Sequence, residues 1–194
     1  MARPDSASIN DIILRAQSGD LSAFDQLFLA FKDDIYRLAY SVTHRPEDAE
    51  DITQNTFVRL FSAIHRFRPG EPFRPWLLGV AVREARGYLR RVQRWRRKFE
   101  RVMTMLGRSE RGHFSAPAPA VAIPPPDLET TQVVHEAVAT LNPEQRAVVT
   151  LRYYFDLSLP EMSRVLGVPL GTVKSRLHHA QRRLREELEL NGDS

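Results

Sequence analysis

The stretch from Gly107 to about Asp127 divides this sequence into two parts. It reads GRSERGHFSAPAPAVAIPPPD, is dominated by Pro, Ala, Ser and Gly, and has no periodic apolar face. Prolines at this density exclude a helix, because each lacks an N–H donor and fixes φ. The sequence therefore predicts an extended tether over 107–127, between an N-terminal lobe at 1–106 and a C-terminal lobe at 128–194. We expect the two lobes of the free protein to tumble largely independently unless an inhibitor clamps them.

Both lobes are predicted to be helical, because their apolar residues recur at helical spacing and no segment alternates as a strand would. The fold class is therefore all-α. The clearest helix lies in RPEDAEDITQNTFVRLFSAIHRF, with Pro46 in its first turn. Its predicted buried stripe consists of Ala49, Ile52, Phe57, Leu60, Phe61 and Ile64. Its opposite, polar face holds Glu50, Asp51, Gln54 and Asn55.

The C-terminal lobe contains two short helices joined by a tight turn. Asn142 is predicted to cap a helix whose inward residues are Ala147, Val148, Leu151 and Tyr154. The sequence S-L-P-E at 158–161 is a capping box, and Gly167 is the glycine expected just past a helix end. A second helix follows, with its buried stripe at Val173, Leu177, Ala180, Leu184 and Leu188. This pattern is typical of a helix-turn-helix, whose second helix enters the major groove of DNA.

The second helix is basic at its N-terminal end, where the helix dipole prefers acids. A DNA phosphate near Thr172 and the free backbone N–H groups of the first turn would explain this placement. The residues predicted to point outward include Lys174, Ser175, His178, His179 and Arg182. A plain helical hairpin with a solvated basic face is the alternative. A metal site is not expected, because the adjacent residues His178 and His179 do not share a helix face.

Positive charge is concentrated in one block. The chain carries a formal charge of +4, yet 83–101 alone holds nine Arg or Lys against Glu84 and Glu100, a net charge of +7 that leaves −3 for the remainder. Such a block suits nucleic acid, although a solvated charge run is the alternative.

Composition excludes several classes of function. The chain has no cysteine, which rules out disulfides, thiolate metal sites and cysteine nucleophiles. No signal-peptide core or membrane-length apolar stretch occurs, so we expect a cytoplasmic protein without direct membrane insertion. No nucleophile, base or metal constellation appears. We therefore expect no enzyme activity, no cofactor and no small-molecule substrate.

Two long segments resemble one protein family. LNPEQRAVVTLRYYFDLSLPEMSRVLGVPLGTVKSRLHHAQRRLRE resembles region 4 of bacterial sigma factors of the extracytoplasmic function (ECF) group, within the sigma-70 family. DAEDITQNTFVRLFSAIHRFRPGEPFRPWLLGVAVREARGYLRR resembles region 2 of the same group, and GDLSAFDQLFLAFKDDIYRLAY resembles the start of that region. Both halves in this order, with a short linker, are far more specific than a helix-turn-helix alone.

The resemblance implies a sigma factor that binds core RNA polymerase and promoter DNA, with an anti-sigma factor as a further partner. Residues that match the polymerase-docking helix are Glu50, Asp51, Gln54 and Asn55. Residues that match the −10 reading segment are Arg68, Phe73, Arg74, Arg83, Arg86 and Arg90. Residues that match the −35 reading helix are Thr172, Lys174, Ser175, Arg176, His178, His179 and Arg182, with Arg176 as the expected backbone contact.

Two positions depart from the family pattern. Many members have Asn where this chain has Arg83, at a position that helps to hold a flipped −10 base, and Asp or Asn where it has Gly87. An arginine can stack on a base or bind a phosphate, but it cannot make the same amide hydrogen bonds.

Two other functions remain open at the level of the sequence. One is a helix-turn-helix transcriptional regulator that acts without polymerase. It would need only the C-terminal lobe. The other is a sigma-like decoy that binds protein partners alone, through a fold whose DNA surface has lost its function.

Overall fold

The computed structural model describes residues 6–105 and 137–192, and every regular element in these two ranges is helical. The N-terminal lobe contains α1 (Ser6–Gln17), α2 (Leu21–Thr43), α3 (Pro46–Ala63), a 3₁₀ turn (Ile64–Arg66) and α4 (Phe73–Met105). The C-terminal lobe begins with helical residues 137–140. It continues with α5 (Pro143–Val149), a π-helical turn (Thr150–Tyr154), α6 (Leu159–Leu166) and α7 (Leu170–Gly192). The prediction of an all-α fold is confirmed.

Local signals account for the first helix boundary. Gly19 has a φ of +92°, which a residue with a side chain rarely adopts, and it ends the turn after α1. Asp20 then caps α2, because its carboxylate accepts hydrogen bonds from the backbone N–H groups of Ser22 and Ala23. The core of the lobe forms where α2 packs against α3 and α4, with Leu27, Phe31 and other apolar residues almost fully buried.

The buried stripe of α3 differs from the predicted one. Thr53 and Thr56 are buried, whereas Phe57 is half-buried and Phe61 is 54% exposed. Burying these two hydroxyl groups costs little free energy, because each donates a hydrogen bond of 2.7 Å to the carbonyl oxygen four residues earlier. The prediction that Phe61 belongs to the core is therefore wrong.

The last turns before α6 also differ from the prediction. Ala147, Val148 and Leu151 are buried as expected, but Tyr154 is exposed and Phe155 is buried in its place. The π-helical turn over Thr150–Tyr154 inserts one extra residue into the helical repeat. This insertion rotates Tyr154 outward and carries Phe155 to the core.

The described parts of the two lobes share one hydrophobic core. Helix α6 packs against α4, α5 packs against α2, and the buried cluster runs from Ile12 to Val173. Polar contacts cross the boundary as well, since Arg146 donates a hydrogen bond of 2.8 Å to the carbonyl oxygen of Val42. The expectation of independently moving lobes is therefore wrong for this conformation. The predicted tether at 107–127 lies outside the described residues.

Among the described helices, none is both long enough and apolar enough to cross a membrane.

Candidate nucleic-acid and protein-binding surfaces

The turn between α6 and α7 has the geometry that its sequence predicted. Ser158 and Glu161 form the reciprocal capping box at the start of α6. The hydroxyl and the backbone N–H of Ser158 both donate to the Glu161 carboxylate, at 2.6 and 2.8 Å, and these two hydrogen bonds lower the pKa of that carboxyl group. At the other end, Gly167 adopts φ +62° and its N–H donates to Ser163, while the hydroxyl of Ser163 donates to the carbonyl oxygen of Val168 at 2.6 Å. Hydrogen bonds within the turn fix its conformation, and this conformation sets the direction in which α7 leaves α6.

Helix α7 presents most of the predicted −35 residues on its solvent side. Val173 and Ala180 are fully buried against the lobe, Leu177 and Leu184 are half-buried, and Leu188 is exposed. The predicted residues that are exposed are Lys174, Ser175, His178, His179 and Arg182, while Thr172 is half-buried. Arg182 lies 3.6 Å from Glu186 in an exposed pair that holds it weakly.

The first turn of α7 is less open to a phosphate than the sequence suggested. The backbone N–H groups of Thr172 and Val173 both donate to the carbonyl oxygen of Pro169, at 2.9 and 3.2 Å. These two donors are therefore already satisfied within the protein. An anion at this helix end would therefore be bound by the N–H groups of Leu170 and Gly171 and by side chains.

Arg176 faces the protein instead of solvent. Its guanidinium lies 2.5 Å from the carboxylate of Glu144 at the start of α5, and one of its nitrogens is buried without a hydrogen bond. Burial lowers the pKa of the neighbouring Arg86, and the positive charge of Arg176 lowers it further. In this conformation Arg176 holds α7 against α5, and it is not available as the predicted backbone contact.

Three predicted −10 residues lie on one side of α4. Arg83 and Arg90 are exposed, whereas Arg86 is half-buried and donates a hydrogen bond of 2.5 Å to the carbonyl oxygen of Leu166. Leu166 is the last residue of α6, so the first helix of the helix-turn-helix lies over the middle of this arginine row. A cleft of about 430 Å³ beside it is lined by Arg86, Arg90 and Glu144, among others.

The other three predicted −10 residues are not presented together. Arg68 is exposed in the loop before α4. Phe73 is only 4% exposed and packs edge-on against Phe31 and Phe67, so it is not accessible to DNA in this conformation. Arg74 is bound to the buried carboxylate of Asp34 at 2.8 Å and lies over the ring of Phe155 in the other lobe.

The surface predicted to bind polymerase is exposed along α3. All four predicted residues, Glu50, Asp51, Gln54 and Asn55, are exposed. Val58 also belongs to this side of α3, where the polar pattern did not indicate it: it lies one turn beyond Gln54 and is 69% exposed. Two aromatic pairs at the surface, Phe24 with Phe61 and Phe28 with Phe57, were likewise not predicted, and their ring centroids are each 4.8 Å apart. The sequence signal for these aromatic pairs is the set of threonines on α3. The helical repeat that buries the threonines turns the aromatic residues of the same helix toward the surface.

No cluster of His, Asp and Glu side chains in the described ranges has the arrangement needed to bind a metal ion.

Comparisons with known proteins agree with this architecture. The family model for Sigma-70 region 2 matches residues 27–96, and the model for Sigma-70, region 4 matches residues 131–184. Together the two models cover well over half of the chain.

Individual relatives extend the match across both lobes. The chain is 32% identical to the ECF RNA polymerase sigma factor SigE of Mycolicibacterium smegmatis, over 88% of this chain and 65% of the relative. It is 29% identical to the ECF RNA polymerase sigma factor SigW of Bacillus subtilis, over 91% of this chain and 94% of the relative.

A solved structure shares the fold. The structure of CnrH in complex with the cytosolic domain of CnrY matches with a TM-score of 0.62 at 24% identity, covering 98% of this chain and 100% of CnrH. From the order of its two lobes, its helix-turn-helix and these matches, the chain belongs to the extracytoplasmic function group of the sigma-70 family of RNA polymerase sigma factors.

Proposed function

We propose that this protein directs core RNA polymerase to promoters by dividing three tasks among three helices. Helix α3 binds the polymerase, α4 reads the −10 element, and α7 reads the −35 element. The observation that carries the proposal is the outward face of α7, where Lys174, Ser175, His178 and His179 are exposed while Val173 and Ala180 are buried. A helical hairpin with a structural role would gain nothing from basic residues at this end of the helix.

The −35 contact divides by residue type. Lys174 and His179 lie near the N-terminal end of α7, the part of a recognition helix that reaches base edges. Arg182 lies about two turns beyond Lys174 and less than one turn beyond His179, and it suits a phosphate. Arg176 is left out of this set, because its pairing with Glu144 stabilises the lobe itself.

The polymerase contact is larger than the polar face alone. Val58 lies among Asp51, Gln54 and Asn55, and the surface pairs of phenylalanines border them. A mixed patch of this kind, with apolar anchors inside a polar rim, is typical of a protein interface. Solvation alone would favour polar residues at all of these positions.

The closed arrangement of the lobes has a consequence for this function. Arg86 is bound to the end of α6, so α4 cannot present its full arginine row to DNA until the lobes separate. We infer that polymerase binding and opening of the lobes occur together.

The family also predicts an anti-sigma factor as a partner and a location in the cytoplasm.

Promoter binding by the reconstituted polymerase tests the assignment of α7. Promoter fragments are first selected from random DNA by the wild-type protein bound to core polymerase. The Lys174→Ala and His179→Ala variants are each expected to lose about 1–3 kcal/mol at one −35 base pair and little at the others. Arg182→Ala is expected to weaken binding to all sequences and to reduce the salt dependence by about one charge.

Two outcomes would contradict the proposal. Equal losses for all three variants on every sequence would make α7 an electrostatic anchor only. Selection of the same fragments without core polymerase would favour a regulator that acts alone.

A further inference from the structure

The loop that precedes α4 contains a tight turn whose shape is set by its own residues. Residues 68–71 form a β-turn, because the N–H of Glu71 donates to the carbonyl oxygen of Arg68 at 3.2 Å. Pro69 and Gly70 occupy the two central positions, and Gly70 has a φ of +93°. Proline followed by glycine is the pair that a type II turn favours at these positions. The shape of the turn therefore needs no help from the rest of the chain.

The orientation of this turn on the lobe is a separate matter. Residues 68–72 are all exposed, so burial of their own side chains does not anchor them. The buried rings of Phe67 and Phe73 flank the segment and pack edge-on against each other. The segment between them can tilt about these two anchors unless another part of the chain holds it.

Helix α1 holds the loop through two side chains. The side-chain amide of Gln17 donates to the carbonyl oxygens of Ile64 and Phe67, at 2.8 and 2.9 Å. The side-chain oxygen of Asn10 accepts a hydrogen bond of 3.2 Å from the N–H of Gly70. This N–H takes no part in the hydrogen bond that closes the turn. The start and the middle of the loop are therefore both bonded to a helix that lies 47 to 60 residues earlier in the chain.

The two amide side chains lie on one side of α1. They are separated by seven residues, or about two turns of helix, and so differ by only about 20° in direction. Ile13 lies between them on the same side and is fully buried, as is Ala16. Burial of these apolar residues anchors α1 in the core. The amides of Asn10 and Gln17 are thus left to act on the loop.

We propose that Asn10 and Gln17 are positioning residues for −10 recognition, which hold the 67–72 loop in the orientation that presents Arg68 to promoter DNA beside α4. This inference rests on the proposed −10 role of α4 and Arg68. Arg68 is exposed at the first position of the turn, so its location follows any tilt of the loop. Neither Asn10 nor Gln17 touches DNA in this assignment.

The hydrogen bonds from α1 act by limiting the orientations of the loop. A loop that is already held in its binding orientation loses less conformational freedom when DNA binds. It also presents Arg68 at one place relative to Arg83 and Arg90. Without these hydrogen bonds, the loop has several orientations, and each can adapt to a different base. The loss therefore falls on discrimination between −10 sequences more than on total affinity.

A contribution to the stability of the lobe is the competing explanation, and the two positions differ in this respect. Gly70 is exposed, so its N–H can bond to water when Asn10 is truncated. Ile64 and Phe67 are buried, so loss of the Gln17 amide leaves their carbonyl oxygens with fewer partners. Variants of Asn10 therefore separate loop positioning from stability more cleanly than variants of Gln17.

The chain offers matched variants for this purpose. Asn10→Ala removes the acceptor, whereas Asn10→Asp keeps an oxygen that accepts from the N–H of Gly70. Gln17→Met keeps a side chain of similar length and removes both donors. Asp11→Ala, which truncates an exposed residue of the same helix, is the control. The Asn10 pair decides the test if Gln17→Met loses its helical circular dichroism signal.

The test measures the affinity of each reconstituted polymerase for selected promoter fragments with single substitutions in the −10 or the −35 element. A mismatch is expected to weaken binding of the wild type by about tenfold. In Asn10→Ala and Gln17→Met, the penalty for a −10 mismatch is expected to fall by about threefold, while the penalty for a −35 mismatch stays unchanged. Asn10→Asp and Asp11→Ala should keep the wild-type penalties at both elements.

Three results would overturn the inference. Wild-type −10 penalties in Asn10→Ala would show that the loop keeps its orientation without α1. Equal changes at the −10 and −35 elements would assign the two amides to stability alone. An Asn10→Asp variant as impaired as Asn10→Ala would show that the hydrogen bond to Gly70 is not the cause. A failure of the proposed function would look different, because the wild type itself would then prefer no promoter sequence.

Discussion

At the scale of single residues, local hydrogen bonds decide which side chains enter the core. Thr53 and Thr56 occupy buried positions of α3 because each satisfies its hydroxyl on its own helix. Phe61 is thereby turned to the surface, and Phe57 is only half-buried. A polar side chain that finds its acceptor on the backbone of its own helix can take a core position in place of a larger apolar side chain, where the helical register requires it.

Asp20 is a residue whose charge contributes to stability in a pH-dependent way. Hydrogen bonds from Ser22 and from Arg15 lower the pKa of its carboxyl group to about 2, below the value of about 3.9 in an unfolded chain. Its contribution is therefore complete above about pH 4 and is lost as the pH falls toward 2. In denaturant titrations, the wild type should be more stable than Asp20→Ala at pH 7.

This difference should shrink steadily between about pH 4 and pH 2. Asp25→Ala, which removes an exposed carboxylate from the same helix, serves as the control and should show a smaller difference. A difference between wild type and Asp20→Ala that is constant over the whole range would contradict this assignment.

At the scale of elements, the register of α3 determines what the helix offers to a partner. The buried positions Ala49, Ile52, Thr56 and Leu60 follow the helical repeat and leave Val58 in the middle of the polar face. An apolar side chain that is exposed beside Asp51 and Gln54 has no role in the core of this lobe.

Val58→Asp is therefore expected to weaken the affinity for core polymerase at least about fivefold in co-purification, as is typical of an interface anchor that costs more than 1 kcal/mol. Asp51→Arg combined with Gln54→Ala should act in the same direction. The helical circular dichroism signal should stay at the wild-type level, since Val58 is exposed.

Leu14→Asp is the matched control, because Leu14 is a similarly exposed apolar residue on α1. It should bind polymerase normally. If Val58→Asp binds as well as Leu14→Asp does, the docking surface lies elsewhere.

At the scale of the whole molecule, the helix-turn-helix packs on α4, the helix that we propose reads the −10 element. A Cβ atom built on Gly79 of α4 would lie 3.6 Å from the carbonyl oxygen of Val165 in α6. This is an ordinary contact distance for a methyl group, but a side chain larger than that of alanine would meet the backbone of α6. Arg146 and Arg74 add polar contacts across the same boundary, and burial lowers the pKa of Arg146.

Gly79→Leu should separate the lobes, because the new side chain would occupy the space of α6. Small-angle scattering of the free protein should show a larger radius of gyration than in the wild type, while each lobe keeps its helices. Gly87→Ala is the control on the same helix, since a Cβ there meets only the end of Arg90 at 4.0 Å. A radius unchanged by Gly79→Leu would show that this contact does not hold the lobes together.

The sequence by itself determined the features that depend on neighbouring residues. The cap at Asn142, the capping box at Ser158, the glycine cap at Gly167 and the alternation of Val173 and Ala180 with basic residues on α7 are all local, and the structure confirms each of them. Local hydrogen bonds and backbone sterics act within one or two turns, so a single stretch of chain is enough to predict them.

The tertiary structure decided which of several acceptable faces is buried. It placed Phe155 inside and Tyr154 outside through one π-helical turn, buried Phe73, paired Arg176 with Glu144 and packed α6 onto α4. These outcomes depend on the fit between surfaces that are distant in the chain. Apolar burial is non-directional, so the periodicity of one helix cannot choose its partner.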